Sequence, residues 1–541
     1  MLTSQRCTAL KRKQPHFSAD HTINQPTMSV SIPLLLLSTF IITSILSFIF
    51  LRRNRTKHHQ RHPPGPPPFP VIGNLHMLGK LPHRTLQALA KQYGPIMSLR
   101  LGQVPIVVVS SSKAAQHFLK PHDAVFASRP ILEASKYFGY GSKGLAFSEY
   151  GPYWRHMRKV CTLQLLSASK VESFAPLRKR ELELAVKLVE ERAARGEVLN
   201  LSRVVHDVVE DIVYKMVLGC SKHDEFDLKG LIQSGMNIAG AFNITDYVPW
   251  LRPLDLQGLN RSYKKISTAL DQVLEKIIKE HEHGSDVQNE QHHKDFIDIL
   301  LSLMYQPIDP HDEQSHVIDQ TNIKAILLDM ISGAFETSAT VVEWTLSELL
   351  RHPRVMKKLQ DELDNLVGRN KLVEENDLAK LNYLDIVIKE TLRLYPPGPL
   401  VPRESTEDAI VQGYFLEKKS RIMINLWAMG RDCNIWSDNA EVFYPERFIN
   451  NNLDFRGYDL QYIPFGFGRR GCPGIHLGLA TVKLVVAQLV HCFSWELPGG
   501  MTPDELDMNE RFGLTIPRVK HLFAVPRNRF LRESCNESKR F

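Results

Sequence analysis

Apolar positions along the chain form several long stretches, and most of these have helical spacing. The longest helical pattern runs from about residue 322 to 351 and ends at His352-Pro353, because a residue before proline leaves the helical region. A second apolar run, residues 475 to 487, is long enough for a buried helix. Between about residues 166 and 300 the pattern is that of amphipathic helices broken by loops. These stretches predict a mainly helical protein.

Strand signals are fewer and shorter. Residues 104 to 110 are rich in β-branched side chains and predict a strand. Residues 99 to 102, directly before it, are the predicted partner in a hairpin. The predicted fold class is therefore mainly α with small β-sheets.

Residues 31 to 51 hold 21 positions without a charge, which is enough for a helix to cross a bilayer. Arg52, Arg53 and Arg55 follow, and the positive-inside rule places such residues in the cytosol. The pattern predicts a single-pass anchor with a cytosolic body. Since Met28 stands just before the apolar run, one interpretation is that translation starts there; a basic transit peptide is the alternative.

A dense run of prolines begins at Pro63 and ends at Pro70. Proline fixes φ and removes a hydrogen-bond donor, so this run predicts a stiff strut between anchor and body. The predicted organisation is residues 1–30, an N-terminal extension; 31–51, a transmembrane anchor; 52–74, a basic and proline-rich hinge; 75–528, the catalytic domain; and 529–541, a polar C-terminal tail.

Length and charge exclude some classes of function. The chain has 541 residues and a net charge of +8 that is spread along it, and no arginine-rich tract suggests a nucleic-acid partner. Its seven cysteines form no C-x-x-C pair. An odd number of scattered cysteines indicates a reducing compartment without a disulfide framework.

Candidate chemistry is concentrated in residues 464 to 474, Pro-Phe-Gly-Phe-Gly-Arg-Arg-Gly-Cys-Pro-Gly. Glycines and prolines at this density predict a tight loop. Cys472 stands just before the predicted helix that starts near residue 475. A helix N-terminus and its free N–H groups favour the thiolate over the thiol, so we expect Cys472 to be a metal ligand.

The pattern Phe465-x-x-Gly468-x-Arg470-x-Cys472-x-Gly474 resembles the haem-binding loop of the cytochrome P450 monooxygenases. The resemblance covers about residues 61 to 528 and is closest to the plant A-type clan. It implies a triangular prism of α-helices around a buried haem b (iron protoporphyrin IX). In this family the cysteine is the axial thiolate ligand of the iron, and Arg470 can pair with a haem propionate.

The resemblance also implies roles for two further sites. Trp154 and Arg158 lie four apart on one predicted helix face and match the family's W-x-x-x-R signature, which implies contact with a propionate. Arg155 and Lys159 on the same helix would then contribute to a basic face for an acidic electron donor. Arg403, in a β-like segment, is by resemblance a second propionate contact; a surface arginine is the alternative.

The long helix contains Gly333-Ala334-Phe335-Glu336-Thr337-Ser338. Small residues followed by an acid and a hydroxyl are unfavourable in the middle of a helix, so a local distortion here would serve a function. By resemblance this is the distal oxygen-binding groove, where Thr337 and Glu336 organise proton delivery. Ala334 departs from the glycine usual in the family. The alternative is a threonine that hydrogen-bonds back to the helix.

Glu390 and Arg393 lie at i and i+3, and Arg447 follows in Pro445-Glu446-Arg447-Phe448. On a helix surface such a pair contributes little. The spacing resembles the family's buried Glu-Arg-Arg cluster, so these three residues are expected to be structural.

The implied function is a monooxygenase of the endoplasmic reticulum membrane, with electrons from NADPH through a diflavin reductase and O2 as co-substrate. By resemblance the pocket is lined by residues 137–147, the region of Phe335, Leu400-Val401 and residues 512–515. These are largely apolar, which indicates a small hydrophobic substrate such as a terpenoid, phenylpropanoid or flavonoid. A reductase-independent isomerase or dehydratase, and a non-catalytic haem-binding sensor, are the other interpretations.

Overall fold

A computed structural model describes residues 36–45, 47, 61–219, 228–284, 294–304, 318–451 and 453–529. The chain divides into two compact units, residues 1–59 and 60–541. The first contains an apolar helix, α1 (Leu36–Ile45). The rest of the predicted anchor over residues 31–51, apart from residue 47, lies outside the described residues, as do most of the N-terminal extension and the C-terminal tail. The transmembrane anchor therefore stays a prediction.

The second unit is mainly helical, as predicted. Its α-helices are α2 (Pro82–Tyr93), α3 (Ser112–Leu119), α4 (Glu133–Phe138), α5 (Pro152–Val160), α6 (Ala168–Ser173), α7 (Ala175–Ala194), α8 (Leu201–Leu218), α9 (Leu228–Ala239), α10 (Leu259–Gly284), α11 (Phe296–Ser302), α12 (Gln320–Arg351), α13 (Pro353–Leu366), α14 (Asn382–Leu394), α15 (Leu426–Met429), α16 (Cys433–Trp436) and α17 (Ile475–Cys492). A π-helical turn, Cys161–Leu165, follows α5.

The described residues of this unit also form three small sheets. Their strands are β1 (Ile96–Leu101), β2 (Val104–Val109), β3 (Leu199–Asn200), β4 (Leu400–Glu404), β5 (Ala409–Val411), β6 (Tyr414–Leu416), β7 (Arg421–Asn425), β8 (Phe493–Glu496) and β9 (Phe523–Asn528). The orders are β1-β2-β7-β4, β3-β9-β8 and β5-β6. Strands β1 and β2 pair antiparallel with Leu101 opposite Val104, which confirms the predicted hairpin.

Helix α12 runs through the core and contacts α8, α14 and α17. Asp319 caps its first turn by accepting the Asn322 N–H, and Pro353 follows its end. Most of its residues are buried, and α12 and α17 are the two described helices that are long and apolar enough to cross a membrane. Since both are largely buried in the protein, their apolar character is that of core helices.

Glu390, Arg393 and Arg447 form what we call the structural arginine cluster. The Glu390 carboxylate accepts Arg393 Nε at 2.7 Å and Arg447 Nε at 2.9 Å, and all three side chains are buried. Arg393 also donates to the Ala440 carbonyl at 2.6 Å. The cluster joins α14 to the segment before the cysteine loop, which confirms the structural role predicted for it.

The described part of the proline-rich segment packs along β1. Ser98 donates its N–H to the Pro64 carbonyl and its hydroxyl to the Pro63 carbonyl, both at 2.7 Å. A Cβ at Gly65 would lie 1.8 Å from the Ser98 carbonyl oxygen. Only glycine therefore allows the segment to approach the strand this closely.

Candidate functional site

A cavity of about 420 Å³ lies between α5, α12 and the cysteine loop. Seven of the predicted site residues line it: Trp154, Arg158, Thr337, Phe465, Arg470, Cys472 and Gly474. Glu336, Arg403 and Gly468 are not among its lining residues. The fold thus brings most of the predicted site together from three separate parts of the chain.

The cysteine loop is a tight turn, as its glycines predict. Cys472 donates its N–H to the Phe465 carbonyl at 2.8 Å, which closes the loop just before α17. Gly468 has φ +66°, and a Cβ there would lie 2.4 Å from Asp123 Oδ1. Both the left-handed backbone and the close carboxylate exclude a side chain at this position. Gly468 therefore determines the backbone shape of the loop, although it is not one of the residues that line the cavity.

The Cys472 thiol opens onto the cavity. Desolvation raises the pKa of Cys472, while the Gly474 N–H and the Arg158 guanidinium act in the predicted direction, toward the thiolate. A bound metal ion would deprotonate a coordinating thiol outright.

Four guanidiniums, two of them buried and two half-buried, form what we call the cavity arginine cluster: Arg403 and Arg470, and Arg129 and Arg158. All but Arg403 line the cavity. Burial lowers the pKa of Arg470 to about 8, with help from the charges of Arg129, Arg403 and Arg158. Burial, with the charge of Arg403, also lowers the pKa of Arg129 to about 10. Positive charge is thus in excess here, which fits a ligand with carboxylates, such as the two propionates of haem.

Backbone carbonyls hold these side chains in place. Trp154 Nε1 donates to the Leu145 carbonyl at 3.0 Å, and Arg158 Nη2 donates to the Gly471 carbonyl at 2.7 Å. The guanidinium of Arg470 lies 4.0 Å from the Trp154 ring centroid, which is a favourable cation–π distance. The indole N–H that was expected to reach a propionate is engaged by Leu145.

Arg403 lies behind the cavity, on β4. It donates to Asp123 Oδ1 at 3.1 Å and to the Phe467 carbonyl at 2.6 Å, while its Nε has no acceptor among the described residues. Its observed bonds connect the sheet to the cysteine loop.

Arg129 lines the cavity but was missed by sequence reasoning. A β-bridge between Ser128 and Glu404 of β4 places it there, and it donates to the Pro402 carbonyl. No motif surrounds it in the sequence. Since the bridge joins residues far apart in the chain, only the tertiary fold identifies this arginine.

Thr337 and Glu336 occupy different surroundings. Thr337 lines the cavity together with Gly333 and Ala334, and its hydroxyl donates to the Gly333 carbonyl at 2.6 Å. Glu336 is buried and accepts the Thr515 hydroxyl at 3.0 Å; burial raises its pKa.

Helix α12 is continuous through this segment. The local distortion suggested for this segment therefore does not interrupt the helix, and the bond from the Thr337 hydroxyl to the Gly333 carbonyl is the one that the alternative interpretation describes.

The rest of the lining is largely apolar. It includes Leu145, Ala146, Met216, Phe296, Met330, Val341, Ile388, Leu392, Val401 and Leu426. Three of the residues expected from the pocket segments, Leu145, Ala146 and Val401, are among them. Phe335 and residues 512–515 are not among the lining residues.

Comparisons with known proteins agree with this geometry. The family model described as cytochrome P450 matches residues 63–523. The chain is 55% identical over 474 residues to cytochrome P450 CYP736A12 of Panax ginseng, covering 87% of this chain and 94% of that protein. It is 42% identical over 509 residues to flavonoid 3'-monooxygenase of Arabidopsis thaliana, covering 92% and 96%. These matches confirm the resemblance found in the sequence, and the chain belongs to the plant A-type clan of the cytochrome P450 family.

Proposed function

We propose that this protein hydroxylates a small hydrophobic plant metabolite at the endoplasmic reticulum membrane, with electrons from NADPH through a diflavin reductase. As a cytochrome P450, the chain is an oxidoreductase of the monooxygenase type that binds haem b through a cysteine thiolate. The bound haem supplies oxygen activation and one-electron chemistry. The observation that carries the proposal is one cavity that is lined by Cys472, by three arginines, by Thr337 and by many apolar side chains.

The charges around the cavity support an uncharged substrate. Arg129, Arg158 and Arg470 line it where the propionates would be held, and Asp329 is the acidic residue of the lining. The Asp329 carboxylate accepts two backbone N–H groups, so it is already engaged. A substrate carboxylate or ammonium group would lack a dedicated partner, and burying one costs several kcal/mol. A terpenoid, phenylpropanoid or flavonoid skeleton fits these surroundings.

Thr337 and Glu336 are proposed to handle protons. Thr337 lines the cavity, and because its hydroxyl hydrogen is donated to the Gly333 carbonyl, its oxygen can accept a hydrogen bond from a water and orient that water as a proton donor. Glu336 directly precedes Thr337 on α12, and its raised pKa lets the carboxyl carry a proton closer to neutral pH. In this scheme Glu336 supplies protons and Thr337 orients the last donor.

The electron donor is proposed to dock on the exposed face of α5. Arg155 and Lys159 are exposed there, on the same helix as Trp154 and Arg158. A basic face suits an acidic partner, which it attracts and orients.

Turnover of the full-length holoprotein tests the proposal. A panel of terpenoids, phenylpropanoids and flavonoids is incubated with NADPH under isotopically labelled O2, with and without diflavin reductase. We expect one labelled oxygen atom in a product that requires the reductase. Product formation without reductase would identify an isomerase or dehydratase instead, and haem binding without product from any panel member would favour a sensor.

Two variants assign the residues. Cys472→Ser should abolish the thiolate-type Soret band of the reduced carbon monoxide complex. Thr337→Ala should consume NADPH and release peroxide with little product, while Thr337→Ser, which keeps a hydroxyl, should retain coupling. Full coupling in Thr337→Ala would contradict the proton role.

A further inference from the structure

Asp329 is a half-buried acid on α12 that lines the cavity, about two helical turns before Thr337. Its Oδ2 accepts the backbone N–H of Leu145 and, at 3.1 Å, that of Ala146. Burial raises the pKa of Asp329 to about 6, and these two N–H groups partly offset that effect. A carboxyl group held in such surroundings is expensive for the fold, so its position calls for an explanation.

The segment Gly144-Leu145-Ala146 lies directly against this carboxylate. A Cβ at Gly144 would lie 2.2 Å from Asp329 Oδ2 and 3.3 Å from the Ala325 carbonyl oxygen. No side chain fits between the segment and α12. Glycine at this position therefore permits the contact that both N–H bonds require.

The other side of the same peptide faces the haem-binding residues. The Leu145 carbonyl accepts Trp154 Nε1 at 3.0 Å and Arg470 Nη1 at 3.3 Å. Leu145 and Ala146 also line the cavity. One short segment is thus held by α12 on one side and by two residues of the propionate region on the other.

We propose that Asp329 is a positioning residue that fixes residues 144–146 over the cavity and, through the Leu145 carbonyl, orients Trp154 and Arg470. It thereby determines the shape of the cavity wall that meets the substrate. This inference rests on the proposed function for the nature of the ligand, but its geometry involves only residues of this chain.

Ligand titrations of the full-length holoprotein test the inference without a known substrate. Imidazole and the bulkier phenylimidazole are titrated by their effect on the haem absorption spectrum. Imidazole is small enough to bind with little contact to the cavity wall, whereas the phenyl group must pack against it. Asp329→Leu, which removes the acceptor at similar size, should weaken phenylimidazole binding at least fivefold and leave imidazole within twofold. Asp329→Asn keeps an acceptor oxygen and should restore both affinities.

A second variant, at Gly144, tests the same contact from the side of residues 144–146. Gly144→Ala should reproduce the selective loss because its methyl group displaces the segment from Asp329. Gly151→Ala is the matched control, since a Cβ there has no neighbour within 4 Å and the backbone is extended. If Asp329→Leu fails to retain haem, Gly144→Ala decides the question by the same criterion.

The inference is overturned if phenylimidazole binds Asp329→Leu and Gly144→Ala as it binds the wild type, or if both probes weaken equally. The carbon monoxide spectrum of each variant reports the haem-thiolate centre separately. A failure of the proposed substrate or reductase would leave these spectra and titrations unchanged, so the two failures are distinguishable.

Discussion

The structural arginine cluster is buried and the cavity arginine cluster is partly buried, but the two differ more in how their charges are balanced. In the structural cluster, Arg393 and Arg447 share the carboxylate of Glu390. Their remaining N–H groups donate to backbone carbonyls, such as those of Ala440 and Val442. The cluster satisfies its own polar groups and needs no further partner.

The cavity arginine cluster lacks such balance. Asp123 bonds Arg403, but no carboxylate is paired with Arg129, Arg158 or Arg470 among the ion pairs of the described residues. Burial, with the neighbouring guanidiniums, lowers the pKa of Arg470 to about 8. A buried arginine with a compensated charge holds the fold together, whereas an uncompensated one marks where an anionic ligand binds. Variants of the two clusters should therefore fail in different ways.

Arg393→Ala should have the largest effect, and on stability. It leaves Glu390 with a single guanidinium partner and removes the donor to the Ala440 carbonyl. Breaking a buried pair from one side costs about 3–5 kcal/mol. Denaturant unfolding of the holoprotein, followed by circular dichroism, measures the loss. Arg527→Ala, which removes an exposed ion pair with Glu496, is the control and should unfold like the wild type.

Arg470→Met should act on haem retention more than on the fold. A hydrogen bond to a charged group contributes about 2 kcal/mol, so haem transfer to an excess of haem-free myoglobin should accelerate about 30-fold. The haem-free variant should lose less stability than Arg393→Ala, because an uncompensated buried charge is removed. A stability loss as large as that of Arg393→Ala would contradict the distinction between the clusters.

Arg129→Gln tests the member of the cavity cluster that no motif predicts. Glutamine keeps a donor for the Pro402 carbonyl but removes the charge. We expect haem transfer to accelerate about tenfold, equivalent to about 1.4 kcal/mol, with unchanged unfolding. Arg203→Gln on the exposed face of α8, where Arg203 pairs with Asp207, provides the control. Equal transfer rates for the two variants would remove Arg129 from the site.

The features that could be predicted from the sequence are mainly those formed by residues close together in the chain. Cys472, Phe465, Gly468 and Arg470 lie within one short loop, so their spacing was enough to place them together. The β1–β2 hairpin and the long helix α12 were likewise local patterns. Arg447 is far from Glu390 and Arg393 in the chain, and the family resemblance alone connects it with them.

Long-range contacts account for what was missed. Arg129 reaches the cavity through a β-bridge to Glu404, and Asp329 engages a segment more than 180 residues away in the chain. The raised pKa of Cys472 also depends on tertiary burial, which the loop sequence does not encode. The positions of Thr337 and Glu336 on the helix do not by themselves predict that Thr337 lines the cavity while Glu336 bonds Thr515.

The smallest predicted effect concerns acid stability beside the structural cluster. Partial burial pushes the pKa of Glu446 upward, but bonds from Arg354, Lys358 and Tyr383 outweigh it and hold the pKa at about 2, below the ordinary 4.5. A lowered carboxyl pKa stabilises the fold above the unfolded value, and this stability is lost as pH falls through the folded value. The contribution therefore disappears between about pH 4.5 and 2.

Comparing Glu446→Gln with the wild type isolates this contribution. Because Arg354 and Lys358 are half-exposed, solvent screening reduces the effect to about 1 kcal/mol. Denaturant unfolding should show the variant less stable at pH 7, with the difference shrinking as pH is lowered toward about 3. A difference independent of pH would mean that Glu446 acts by packing alone. In that case the charge of Glu446 would not contribute to stability. Lowering the pH would then weaken neither arginine cluster by protonating this carboxylate.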